Sequence, residues 1–231
     1  MPRQPRFVID GGIYHILTRG NNNQPVFHEE ADYDHYLKLL ATYARRHRLR
    51  VYHFALMPNH VHLVLGVSIA EALSKAMLGL NLTYAWFYRR RRRYSGHLWQ
   101  GRFKSLLLHG DNYLLEGGRY VELAPVRAGV VTNPRDYPWS SYRVYAEGAA
   151  SAIVTLNPRY DALGTESTER QQAYRRFILE GLAPQGTDPQ FLPQDYLSGF
   201  REPTAIPRPS LPFPGIRRGR GRPRKLEAVT I

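Results

Sequence analysis

No cysteine occurs anywhere in the 231 residues, which excludes disulfides and thiolate metal sites at the outset. Long apolar runs are missing too. No stretch approaches the length needed to span a bilayer, and the opening MPRQPRFVIDGG has no apolar region of the secretory type. The expectation from these absences is a cytoplasmic protein without a membrane partner. Acidic residues are scarce: 19 Asp and Glu stand against 32 Lys and Arg, a net charge of +13. Such an imbalance favours a polyanionic partner, because each neutralised phosphate releases condensed counterions. The excess is almost all arginine and sits in runs beside aromatics, and arginine both forks phosphate and stacks on bases. Nucleic acid is therefore favoured over an acidic membrane surface. What the chain does have is material for a core, being 43% hydrophobic and 12% aromatic.

Alternation around Ile13, His15 and Leu17 predicts a strand within 7–19, and GNNNQPVF reads as the loop after it. Tyr33, Tyr36, Leu37, Leu40, Tyr43 and Ala44 recur at helical spacing and predict a helix over 29–48. RVYHFAL and HVHLVLGV form a hairpin turned by MPN. A long amphipathic helix over 69–94 follows, then a short strand over 103–109 and a helix from Asp111 to near Leu123. This order resembles a ferredoxin-like split βαβ, an α+β fold with an antiparallel sheet and helices on one face. Such a fold names no function by itself. The main domain is expected at 1–150, a helical extension at 151–200 with a helix over 168–182, and a disordered basic tail at 201–231.

His60 and His62 are two apart on a predicted strand, so both imidazoles leave one face while Val61 leaves the other. Two such rings after a turn make a bidentate metal platform. Taken alone, the pattern is more often structural than metal-binding.

MPNHVHLVL closely resembles the HUH signature (His, bulky apolar, His) of single-strand endonucleases and transposases. RGNNNQPVF upstream, and HLWQGRFKS and YLLEGGRYVELAPVRAGVV downstream, resemble the REP-associated tyrosine transposases, relatives of the single-tyrosine, IS200-like insertion-sequence transposases. These four blocks, in order, span roughly residues 7 to 145. The resemblance implies that a tyrosine on the helix after the last core strand attacks a scissile phosphate in single-stranded or hairpin DNA. The matching position is Tyr120; Tyr113, two turns earlier on a similar helix face, is its competitor. It also implies a divalent cation, Mg2+ or Mn2+, on His60 and His62, polarising that phosphate. The expected products are a 5′-phosphotyrosine and a free 3′-hydroxyl, in a protein that is monomeric or homodimeric and associated with the nucleoid.

One block departs from the family. Relatives usually read NPVRA, with the amide side chain completing the metal site, and here Ala124 offers no ligand. The site is then weakened, or another group completes it. Glu116, one turn before Tyr120, is the nearest candidate carboxylate, whereas Glu122 points away from the Tyr120 face. Gly117 and Gly118 each cost the helix about 1 kcal/mol relative to alanine. His15 and His53, on neighbouring predicted strands, are candidates for a further ligand, but the structural role is favoured for them as for His97 and His109.

A DNA-binding surface is expected from Arg19 and Asn21, from Arg89, Arg90 and Arg91 at the end of the long helix, and from Trp99, Arg102 and Lys104. The tail arginines Arg217, Arg218, Arg220, Arg222 and Arg224 surround an Arg-Gly-Arg-Pro sequence like the core of an AT-hook, which reaches into the minor groove of A·T-rich duplex. Three functions fit: a metal-dependent DNA nicking and rejoining enzyme, a domesticated descendant that binds structured single strands without cutting, and a ferredoxin-like RNA-binding protein. HVHLVL, on the strand where an RNA binder would present aromatics, argues against the third.

Overall fold

The computed structural model describes residues 8–108 and 111–182; the side chains of 111–113, Tyr113 among them, and the tail arginines lie outside the described residues. The elements run β1 (Ile13–Arg19), α1 (Glu30–Arg46), β2 (Leu49–Met57), β3 (His60–Val67), α2 (Ala70–Arg92), β4 (Lys104–Leu107), α3 (Asp111–Arg127), α4 (Tyr142–Glu147) and α5 (Ser167–Glu180). The four strands form one antiparallel sheet in the order β2-β3-β1-β4, the ferredoxin-like arrangement.

Local chemistry sets the element ends. β1 begins later than its hydrophobic pattern because Gly11, at φ 72, turns the chain and the Gly12 amide donates to the Ile9 carbonyl. α1 opens on a reciprocal cap between Glu29 and Asp32. α3 runs past Leu123, through Pro125, to Arg127. The proline removes one helical hydrogen bond, and the helix ends within two residues, where Gly129 at φ 66 redirects the chain.

The strands divide their side chains between two layers. Ile16, Val61, Leu63 and Leu65 face α1 and α2, meeting Tyr36, Leu40, Leu80 and Tyr84 in the main core. These are the two helices expected on one face. The opposite face, carrying Tyr52, Ala55 and Val64, is covered by α3 through Leu114, Tyr120 and Val121. A register shift in β2 between Val51 and His53 is a bulge that turns two consecutive side chains, Tyr52 and His53, toward α3. Outside α3, a third cluster joins Leu123 to Tyr142, Tyr145, Tyr160, Tyr174 and Ile178. This cluster spans the boundary expected near residue 150, so α5 shares a core with α3.

Candidate active site

Alternation along β3 places His60 and His62 on the α3 face, both fully buried. Cross-strand register then aligns them: His62 lies opposite Leu17 of β1 and Ala55 of β2, and His60 opposite Arg19 and Met57. The two Nε2 atoms converge to 3.1 Å. His60 Nδ1 sits 2.6 Å from Asn59 Oδ1, and the Asn59 amide nitrogen donates to the Asn23 carbonyl at 3.4 Å, which orients the amide. An amide oxygen only accepts, so the proton of His60 is on Nδ1 and its Nε2 presents a lone pair. On the far side, His62 Nδ1 is 2.9 Å from His15 Nε2, with the two rings stacked. The three histidines form one chain of hydrogen bonds: His15 donates to His62, His62 to His60, and His60 to Asn59.

Burial pushes His60 down to about 3, with the Arg19 and His15 charges adding to the effect. Burial alone lowers His15 to about 3, and His62 is held well below its ordinary value by burial and by neighbouring cations, Arg127 among them. All three rings are thus neutral at physiological pH, the state a metal ligand requires. The pair fits a divalent cation on Nε2 lone pairs. Binding there requires His62 to hold its proton on Nδ1 and donate to His15, which makes His15 the partner that orients the ligand. Among the described residues no group of three His, Cys, Asp or Glu side chains is positioned to hold a metal.

Tyr120 completes the arrangement. Its ring meets both His15 and His62 edge-on, each at 5.7 Å between centroids, and the Arg127 guanidinium lies 5.0 Å over it. The ring is 7% exposed. Two α3 residues fix this placement. Gly118 lies against the His53 ring, where a Cβ would come within 2.5 Å of it, so its lack of a side chain lets α3 approach the sheet. Glu122, buried on the face away from Tyr120, accepts from Ser141 Oγ at 2.6 Å and Tyr174 Oη at 2.8 Å, and pairs with His53 Nδ1 at 3.0 Å. Asn157 closes the network at 3.1 Å from His53 Nε2. His53 is thus held at both ring nitrogens, by Glu122 and Asn157.

Glu116 does not join the histidines, a correction to the expectation that it completes the metal site. Its carboxylate pairs with Arg119, whose guanidinium lies 4.5 Å over the Phe177 ring, on the side of α3 that faces α5. Ala124 is buried against Met57 and Tyr137 in apolar packing.

The expected DNA contacts separate into groups. Arg19, bonded to Gln100 at 2.7 Å, and Lys104, in one cross-strand row with Leu17 and His62, lie on the histidine side. Asn21 donates its backbone amide to the Leu98 carbonyl in the adjoining loop. Arg89, Trp99 and Arg102 line a cleft beside α2, and Arg90 flanks it. Arg91 is held differently: with Arg92 it pairs with Glu29 and Asp32 at the start of α1, so its charge is offset within the fold. Sequence reasoning missed His15 as an orienting partner and the placement of Arg127 over the tyrosine, and Trp86, 75% exposed, was not among the expected contacts. The APVRA block signals Arg127; the contacts of His15 arise from pairing between distant strands.

Comparison with known proteins finds one family model and likenesses of fold. The family described as transposase IS200 like matches residues 9–123. The structure of a REP-associated tyrosine transposase bound to a REP hairpin superposes with a TM-score of 0.53 at 17% identity, covering 68% of this chain and 93% of that one. A crystal structure of a Deinococcus radiodurans transposase aligns at a TM-score of 0.37 and 19% identity, over 52% of this chain and 96% of that one. No protein of curated function matches.

Proposed function

Because the chain belongs to the IS200-like transposase family, we propose that it nicks and rejoins single-stranded or hairpin DNA through Tyr120, with a divalent cation on His60 and His62. The observation that carries this reading is the edge-on contact of Tyr120 with His62, which brings the candidate nucleophile beside the metal platform within one chain. A divalent cation there supplies Lewis-acid stabilisation of the phosphate oxygens. The protein's own groups do the rest. Burial keeps the imidazoles neutral and His15 orients His62. Arg127 is the cation placed to hold the phosphate beside the Tyr120 ring. Tyr120 Oη bonds to phosphorus, the P–O3′ bond breaks, and the phenol proton ends on the departing 3′ oxygen. The 5′-phosphotyrosine keeps the bond energy, so a 3′-hydroxyl reverses the step without an external energy source. REP-like hairpins are the proposed substrate, and the basic tail is proposed to hold A·T-rich duplex beside it. The intrachain site favours a monomer.

A second reading, a descendant that binds such DNA without cutting, is favoured by Ala124 packed against Met57 and Tyr137. A denaturing gel of labelled hairpin DNA with wild type or Tyr120→Phe, in Mn2+, Mg2+ or EDTA, separates the two. An adduct that requires both Tyr120 and metal, and is stronger with Mn2+ than with Mg2+, is expected. Tight hairpin binding with no adduct and no nick would leave the binding-only reading.

A further inference from the structure

The largest exposed apolar side chains on α2 recur every four residues: Leu78, Leu82 and Trp86 are 61%, 53% and 75% exposed. Such spacing aligns them as one stripe on the outer side of the helix. The segment after α2 folds back along this stripe, pinned by the Trp99 indole donating to the Asn81 carbonyl at 3.0 Å, and leaves a cleft of about 540 Å³. Arg89, His97 and Arg102 stand among its lining residues, which include no Asp or Glu. Asn81 is also in the lining, and its side-chain oxygen is buried with no hydrogen-bond partner.

We propose that this cleft is a second DNA subsite, which binds an unpaired nucleobase flanking the hairpin. Resting on the reading above that the partner is DNA, the proposal adds a contact on the side of the sheet opposite the histidines. A base is flat and apolar on its faces, carries N–H donors on its edge and is linked to phosphates. Those features match Trp86 as stacking surface, Asn81 Oδ1 as acceptor, and Arg89 and Arg102 as cations. A protein partner or second copy would gain nothing from a cationic rim on a chain of net charge +13. The cleft also has a route to the active site. Beside Trp99, Gln100 accepts from Arg19, whose charge acts on His60, so a strand leaving the histidines can follow residues 97–103 to α2.

The test uses the full chain and three probes: a hairpin with a single-stranded extension, the same hairpin blunt, and one whose extension is a run of abasic sites. Affinities are read by fluorescence anisotropy for wild type and Trp86→Ala, with Asn81→Leu as second variant. Each variant is expected to weaken binding of the base-bearing extension about tenfold and to leave the other two probes unchanged. Wild type binding the abasic extension as tightly as the base-bearing one would overturn the subsite, as would equal losses on all three probes. So would a Trp86-dependent dimer in sedimentation, which would assign the cleft to a second copy. Failure of wild type to bind any probe would overturn the DNA reading itself. Loss of the covalent adduct with the extension effect intact would overturn the nicking reading alone.

Discussion

At His62, the position of one proton depends on His15. With the two ring nitrogens 2.9 Å apart, His15 Nε2 can turn from donor to acceptor when a cation binds, so that His62 carries its proton on Nδ1 and frees Nε2 for the metal. His15→Phe keeps the volume and removes that acceptor. The expected result is Mn2+ affinity lower by about tenfold or more, read by electron paramagnetic resonance titration of the full chain. A thermal transition near that of wild type would show that the loss belongs to the ligand and not to the fold. Equal affinity would show that His62 needs no orienting partner. This role was not legible from the chain order, because the two histidines are 47 residues apart and meet only through the pairing of β1 with β3. The His60 and His62 pair was legible, since alternation along a strand fixes a shared face without tertiary information.

Among the elements, α3 shows how far helical spacing reaches. Spacing correctly sends Glu122 away from Tyr120, yet it also nominated Glu116, because it cannot say which flank of a helix meets the sheet and which meets α5. What holds α3 is the buried Glu122 carboxylate. Glu122→Ala would leave His53, Ser141 and Tyr174 without their shared acceptor, and is expected to cost about 3 kcal/mol, measured by urea unfolding. Gly118 gives a test whose sign is informative. By helix propensity, Gly118→Ala would stabilise α3 by about 1 kcal/mol. The new Cβ would lie 2.5 Å from the His53 ring, in a buried site with little room to relax. Overpacking is expected to win, with a net loss of about 1–3 kcal/mol in urea unfolding and less Tyr120 adduct. A net gain would mean that α3 can lift from the sheet without penalty. Sequence reading saw the glycines as weakness in the helix; their role is close approach, visible only once the β2 bulge has turned His53 toward α3.

For the whole molecule, tyrosines make much of the interior. Burial raises Tyr36, Tyr84, Tyr137, Tyr145 and Tyr174 above their ordinary value of 10.0. In the unfolded chain these phenols ionise near that value, whereas the fold keeps them neutral. Their contribution is therefore fully present below pH 10 and lost as pH rises beyond it. The melting temperature is expected to be nearly level through mildly basic pH and to fall steeply above pH 10, by calorimetry. A level profile to pH 11 would show that the phenols reach solvent. The layered fold itself was largely legible, because β2, β3 and the two long helices carry clear periodicities. The charge pattern was less so. Five consecutive arginines look alike in sequence, yet Arg91 and Arg92 face Glu29 and Asp32 across about 60 residues of chain.

The placement of Tyr120 against His15 and His62 of its own chain has a consequence for abundance. If that tyrosine is the nucleophile, every molecule carries a whole reaction centre, and the rate per molecule should not fall on dilution. A protein present at only a few copies in a cell could then act on its target without first meeting another copy of itself.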